Sequence, residues 1–227
     1  KFDSSGNYLK AFGGPGSGCS QWWSARQFDI KNNIIYISDT VNFRYVLLDL
    51  EGNCYRTQDA GNLLREYPYA MAVGGGYAWV SSATRIASHF YPSMQGNSGS
   101  NVANSDGRGS FIWGMSFNRS GSKIAYANYS KSRVTMKNRS GHQLSGGGQH
   151  CSANLPTDTA WDSSGNVYYT SVADHAVYKI SNFNTCAQTK FVGSWSTSSG
   201  FRYPYGIEID SSDNIYVTDY YNFSVRK

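Results

Sequence analysis

The sequence is short of charge. Asp, Glu, Lys and Arg make up only 15% of its 227 residues, and no run of Lys or Arg exceeds two. The net charge of +5 is therefore spread thinly. Nothing here resembles the clustered basic patches that hold phosphate backbones, so nucleic acid is not an expected partner. Long apolar runs are also missing. No window approaches the roughly 18 residues of a membrane span, and no basic-then-apolar leader opens the chain. It reads as a soluble protein whose signal peptide, if it had one, has been removed. Glu and Leu are scarce, which weighs against a helical fold. GxSxG, HExxH and a Gly-rich loop ending in Lys-Ser/Thr are all absent. The four cysteines show no CxxC spacing, which argues against a zinc cluster or a redox motif.

What is present favours strands. Aromatic residues reach 15% and glycine 24 residues, with abundant Ser and Asn. One turn recurs almost unchanged in "FDSSGNYL", "WDSSGNVYYTSVADHAVYKI" and "IDSSDNIYVTDYYNFSV", and more loosely in "FDIKNNIIYISDTVNFRYVLLDLEGN". Degraded copies begin at "YPYAMAVGGGYAWV" and "FIWGMSFNRSGSKIAYAN". Each copy has alternating segments joined by polar turns, the period of half-buried strands in tight hairpins. Arg26, Tyr69, Trp113, Thr157 and Tyr205 occupy one repeat position, 43, 44, 44 and 48 residues apart. Passing from Tyr205 through the chain ends back to Arg26 gives about the same spacing. The expectation is an all-β fold, a single β-propeller domain over 1–227 with five four-stranded blades. The blades fall at about 24–63, 67–108, 111–150, 155–198 and 203–227, the last completed by the N-terminal strands of 1–14. A Gly/Ser/Asn-rich stretch, 92–110, interrupts the second blade.

These residues resemble a known family. "YPYGIEIDSSDNIYVTDYYNFSV" is similar to the NHL repeat, whose pattern runs Pro-x-Gly-Ile, Asp, Gly-Asn-Ile-Tyr-Val-Ala-Asp and Asn-His-Arg-Ile. The likeness is close over 155–227 and 1–52 and weak over 75–150. It implies a propeller, a scaffold that hosts unrelated activities. Among the enzymes it suggests are peptidyl-amidating lyases, whose zinc is held by His just before the innermost strands. The matching positions here are Arg26, Tyr69, Trp113, Thr157 and Tyr205, and none is His.

Cys19 and Cys54 are 35 residues apart, as are Cys151 and Cys186. Both pairs hold the same places in the repeat, so of the three possible connectivities we expect Cys19–Cys54 and Cys151–Cys186. The alternative is four reduced thiols. Such bridges require the segment leading into a blade to run down its outer side, because the two connections otherwise lie on opposite faces. Four N-x-S/T sequons occur, at Asn118, Asn128, Asn138 and Asn222, about as many as chance supplies. Asn118, Asn128 and Asn138 fall at successive predicted turns, where an acceptor would be exposed. With the cysteines they point to an extracellular or cell-surface protein.

No catalytic residue, metal site or cofactor is expected. His175 occupies a turn position where packing is its ordinary use. His142 and His150 flank a Gly-rich run, but no third ligand is identified. Asp39, Asp174 and Asp219 are read as structural carboxylates accepting N–H bonds in the following turn. The candidate site is the ring of Arg26, Tyr69, Trp113 and Tyr205 at one mouth of the channel, enlarged by Trp22 and Trp23. Aromatic faces stack on sugars, and Arg forks onto carboxylates or sulfates; a plug of the channel is the alternative. The favoured function is non-enzymatic recognition of a glycan or a protein. A structural bead associating with neighbouring copies, and a metal-assisted lyase or hydrolase, are the alternatives.

Overall fold

Among the described residues, alternation along the chain becomes five antiparallel sheets. The computed structural model describes residues 1–59, 67–82, 111–139, 150–196 and 199–227, together with the backbone of 86–90. The 92–110 stretch and His142 lie outside the described residues. The first sheet is β1 (Ala25–Lys31), β2 (Ile34–Asp39), β3 (Arg44–Asp49) and β4 (Cys54–Asp59), in that order. The second is β5 (Met71–Gly74), β6 (Tyr77–Ser81) and β7 (Ile86–Phe90). Next comes β8 (Ile112–Phe117), β9 (Lys123–Asn128), β10 (Arg133–Asn138) and β11 (His150–Ser152). The fourth holds β12 (Pro156–Trp161), β13 (Val167–Ser171), β14 (Ala176–Asn182) and β15 (Ala187–Val192). The last has β16 (Pro204–Ile209), β17 (Ile215–Asp219) and β18 (Ser224–Arg226), with a 3-10 turn at Tyr220–Asn222. Among the described residues, no helix is long and apolar enough to cross a membrane.

Apolar side chains from facing sheets interlock in four successive layers. Tyr36, Tyr45 and Leu47 meet Met71 and Val80, and Trp79 meets Ile112, Ile124 and Tyr126. Val134 and Met136 meet Trp161 and Tyr169, and Tyr168 and Val177 meet Ile207 and Val217. The innermost strands pack in the order β1, β5, β8, β12, β16. This radial stacking is that of a propeller, in which neighbouring sheets bury their facing sides against one another.

The turns that recur in the sequence share one hydrogen-bond pattern. In Asp3–Asn7, Asp49–Asn53, Asp162–Asn166 and Asp210–Asn214, one Asp oxygen accepts the N–H of the Asn four residues on, and the other accepts its amide. The residue before each Asn is left-handed, which favours glycine. Gly6, Gly52 and Gly165 have φ of 82°, 85° and 81°. Asp213 takes that place in the last turn at φ 62°. Its carboxylate bonds Arg119 (2.9 Å) and the Ser163 amide (2.9 Å), linking three sheets and offsetting the steric cost.

The N-terminal residues differ from expectation. They do not extend the last sheet: β18 pairs with β17, and the N-terminal hairpin carries a single bridge, Phe2 to Tyr8. Lys1 and Lys10 both bind the Glu51 carboxylate, at 2.6 and 3.0 Å. Phe12 and Trp22 cover Ile35, Ile37, Val46 and Leu48 on the otherwise bare side of the first sheet. The apolar face of sheet one thus draws this segment to itself. The same segment resolves the cysteine geometry. It runs along the outer side of the sheet, held by Arg44 to the carbonyls of Ser17, Gly18 and Gln21, and disulfides join Cys19 to Cys54 and Cys151 to Cys186.

Neighbouring sheets are also fastened by hydroxyls. Near the end of the second strand, Ser38, Ser81 and Thr170 accept the N–H of Gln27, Ala70 and Asp158, on the inner strand of their own sheets. Each then donates to a carbonyl of the next sheet: Tyr69 (3.0 Å), Ile112 (3.2 Å) and Tyr205 (2.8 Å). Thr218, the counterpart in the last sheet, bonds only Gly206 of its own sheet among the described residues. Thr170→Val keeps the shape but orphans these buried groups, and should cost about 1–3 kcal/mol, with Tm falling by roughly 2–4 °C per kcal/mol. Thr218→Val should cost less. Thermal melts of both variants check this, and equal losses would count against the staple.

Candidate functional site

The four inner strands β1, β8, β12 and β16 each bulge where they begin, between Ala25 and Phe28, Ile112 and Gly114, Pro156 and Thr159, and Pro204 and Ile207. A bulge adds one residue and re-aims its side chain. The bulges contain Arg26, Trp113, Thr157 and Tyr205, the repeat positions singled out in the sequence. Left-handed residues just upstream, Ser24, Leu155 and Tyr203, turn the chain into three of these strands.

At one mouth of the channel, Arg26 lies over Tyr69 at 4.7 Å and over Trp113 at 5.4 Å. Trp113 stacks on Tyr129 at 4.7 Å and on Tyr205 at 5.6 Å. Of the predicted residues, the structure therefore brings together Arg26, Tyr69, Trp113 and Tyr205. Thr157 is buried, its hydroxyl bonded to the Tyr205 carbonyl at 2.8 Å. Trp22 is also outside this ring. It packs over the side of the first sheet, because that apolar face has no neighbouring sheet to cover it. Trp23 is exposed, and its amide caps Asp39.

The aromatic surface extends beyond what the sequence suggested. Tyr220 packs on Tyr205 at 5.4 Å and on Tyr221 at 5.0 Å, and Tyr221 on Tyr203 at 4.9 Å. His175 meets Tyr203 and Trp195, and Arg202 lies over Trp195 at 5.0 Å. The available signal was the turn "DYYNF", which places two tyrosines where the matching turn "DTVNF" has Thr and Val.

Behind the mouth lies a cavity of about 750 Å³ whose lining includes Gln27, Asp29, Asp158 and Glu208. The inner strands leave amides without a ladder partner, and these side chains meet them. The Gln27 oxygen accepts Met71 N–H, Asp29 accepts Val73 N–H and Asp158 accepts Ile207 N–H. Burial pushes the Asp158 carboxyl up to about 8, with the Glu208 charge adding to it and two backbone N–H bonds opposing it. Burial pushes Glu208 up to about 7, aided by Asp29. Water reaches Glu208 inside the cavity, but the channel wall strips much of its hydration. Burial likewise raises Asp29. Near neutrality Asp158 is thus held largely protonated, while Glu208 is close to its midpoint. Among the described residues, no three His, Cys, Asp or Glu converge to hold a metal ion. His150 bonds the Thr135 hydroxyl at 2.9 Å.

Other sequence assignments change. From the turn that follows, the carboxylates of Asp39 and Asp219 accept the Asn42 and Asn222 side-chain amides rather than backbone N–H groups. They accept the backbone N–H of Trp23 and Arg202 from the segment leading into the sheet, then pair with Arg44 and Arg226. Asp174 is not their equivalent; Ser171 holds that place, and Asp174 matches Asn42 and Asn222, three residues on. Asn128 is wholly buried, its side-chain oxygen capping Lys131 N–H, so it offers no accessible glycan acceptor. The Asn222 amide is bonded to Ser196 O and Asp219. Asn118 is half-buried and its oxygen accepts the Ser122 and Lys123 amides.

Residues 201–227 match the NHL repeat. No curated protein matches the chain by sequence. Among solved structures, a chain of the nidogen/laminin complex superposes with a TM-score of 0.67 at 15% identity, covering 87% of this chain and 72% of that one. A catalytically inactive virginiamycin B lyase from Staphylococcus aureus with quinupristin gives 0.65 at 11%, covering 93% and 70%. An auxiliary nutrient binding protein from Bacteroides ovatus gives 0.67 at 13%, covering 88% and 58%. At these identities the likeness establishes the fold, all-β and propeller-like. The nutrient binding protein is the longest of the three relative to this chain, which spans just over half of it.

The channel carboxyls set a pH dependence. Unfolded, Asp158 and Glu208 would titrate near the usual ~4; folded, they keep their protons to about 8 and about 7. Their ionisation opposes folding, so stability should fall as pH rises from about 4 through about 8 and then level. Asp210 acts in reverse: its Asn214 bonds hold it at about 2, so its contribution is present above ~4 and lost as pH falls towards 2. The urea midpoint should be higher at pH 5.5 than at 8.5, and Asp158→Asn should narrow the difference. A midpoint higher at pH 8.5 in the parent chain would contradict this. Peptide mapping of protein from a glycosylating host should find Asn128 unmodified.

Proposed function

We propose that this chain, with an NHL repeat at 201–227 and a propeller-like fold, is an extracellular, non-enzymatic binding module. It recognises a glycan or a protein through the mouth bearing Arg26, Tyr69, Trp113 and Tyr205. The observation that carries this reading is the seat of Arg26 over two aromatic rings, with no carboxylate partner among the described residues. A guanidinium seated against aromatic rings, with its N–H groups not taken by a carboxylate, is suited to bidentate contact with a ligand.

Two disulfides fit an oxidising compartment. Two of the structural neighbours, a protein–protein complex and a nutrient binding protein, support a binding role by analogy of fold. The lyase neighbour, at 11% identity, lends the fold and not the activity.

The test is a glycan array beside a pull-down from extracellular extract, repeated with Tyr205→Ala and Trp113→Ala. Losing an anchoring ring should weaken binding by roughly 10- to 100-fold. Two blank screens, or ligands indifferent to both substitutions, would sink the proposal.

A further inference from the structure

The aromatic surface does not stop at the mouth. We propose that it continues as a track for a linear anionic glycan, a polysaccharide bearing carboxylate or sulfate groups, from Tyr205 over Tyr220, Tyr221 and Tyr203 to Trp195, with Arg26 and Arg202 as its two anion contacts. The proposal rests on the reading of the mouth as a binding face.

The rings are open to solvent along this path. Tyr203 is 37% exposed, Tyr221 48%, Trp195 57% and Tyr220 59%. Most single exposed aromatics need no explanation, but a contiguous row marks an interaction surface. Successive rings meet edge to face, at interplanar angles of 64°, 74° and 76°. The row therefore alternates apolar ring faces with hydroxyl-bearing edges, matching a sugar's apolar C–H face and polar rim.

The row is held rigidly. Tyr220 N–H donates to Tyr203 O (3.2 Å) and Tyr221 N–H to Arg202 O (3.0 Å). Arg202 N–H is taken by Asp219 at 2.7 Å, Tyr203 N–H by His175 Nδ1 at 3.2 Å. These same bonds distinguish a glycan from a peptide. With the amides of Arg202, Tyr203, Tyr220 and Tyr221 all engaged internally, little backbone is left for a peptide strand to pair with.

Charge supplies the sign of the ligand. Arg202 lies over Trp195, and its Nε is buried with no hydrogen-bond partner. Like Arg26, it pairs with no carboxylate among the described residues. The neighbouring acids are already engaged: Asp39 by Arg44, Asp219 by Arg226, and Asp174 by Asn154 and Ser171. Two arginines seated on rings, beside acids that are already satisfied, favour an anion from outside.

Titration calorimetry of the 227-residue chain with oligogalacturonate and with dextran sulfate tests this, against methyl-esterified oligogalacturonate, dextran and poly-L-glutamate. At least one anionic glycan should bind, and its neutral counterpart should bind about tenfold more weakly or not at all. Arg202→Gln and Trp195→Ala should each weaken the anionic glycan about tenfold, Arg202→Lys only partly restoring it, with thermal melts reporting that the variants fold. Equal affinity for charged and neutral glycans, or indifference to Arg202→Gln and Trp195→Ala, overturns the track. If Tyr205→Ala still weakens binding in that case, the mouth reading stands. Poly-L-glutamate binding as tightly through the same residues would make the partner an acidic protein and overturn the glycan assignment. Failure of both anionic glycans to bind also overturns the track, whereas the mouth falls only with the blank array and pull-down.

Discussion

The rest of the structure depends on a hydroxyl that serves two strands at once. The innermost strand of each sheet has a ladder on one side only, and the bulge at the start of β1, β8, β12 and β16 leaves a further amide unpaired. A buried amide without a partner is costly, and Ser38, Ser81 and Thr170 meet this need from the adjacent strand. By donating onward to Tyr69, Ile112 and Tyr205 they also set the spacing between sheets. The third sheet has Ala127 at this place. There the Ser116 and Thr159 hydroxyls meet at 3.0 Å, Thr159 bonds Ala125 O, and Trp161 Nε1 donates to Ser116 O. The same joint is thus made with different residues.

The mouth follows from this joint. A stapled bulge fixes where the re-aimed side chain goes, so residues 40 or more positions apart in sequence meet above the channel. Below them, Gln27, Asp29 and Asp158 satisfy amides of neighbouring inner strands. Glu208 corresponds to Asp29 by register but has no comparable partner among the described residues. Neither it nor Thr218 reaches a further sheet, and the packing of inner strands runs from β1 to β16 without a comparable contact between those two. Phe28 and Val225, on the first and last sheets, are accordingly 65% and 67% exposed.

Much of this was legible in the chain. The DSSGN turns, the alternating strands and the repeat positions of Arg26, Trp113 and Tyr205 rest on local rules: period two in a half-buried strand, and an Asx side chain folding back on its own amides. The matched cysteine spacings followed from the repeat. The errors in the repeated turns had one cause. Aligning by residue type rather than by hydrogen-bond role equated Asp174 with Asp39 and Asp219, and made turn residues of Asn128 and Asn222 look available when their amides sit inside the fold.

The sequence by itself determined the strands, their turns and their recurrence, because those depend on neighbours a few residues apart. Only the tertiary structure decided that residues 1–22 cover the first sheet instead of lengthening the last, since that choice turns on which apolar face lacks a neighbour. It also decided that Tyr220, Tyr221, Tyr203 and Trp195 form one surface with Tyr205: the bond from Tyr220 N–H to Tyr203 O has counterparts from Tyr129 to Phe111 and from Val172 to Leu155, but in the last sheet it brings together a continuous run of aromatic rings.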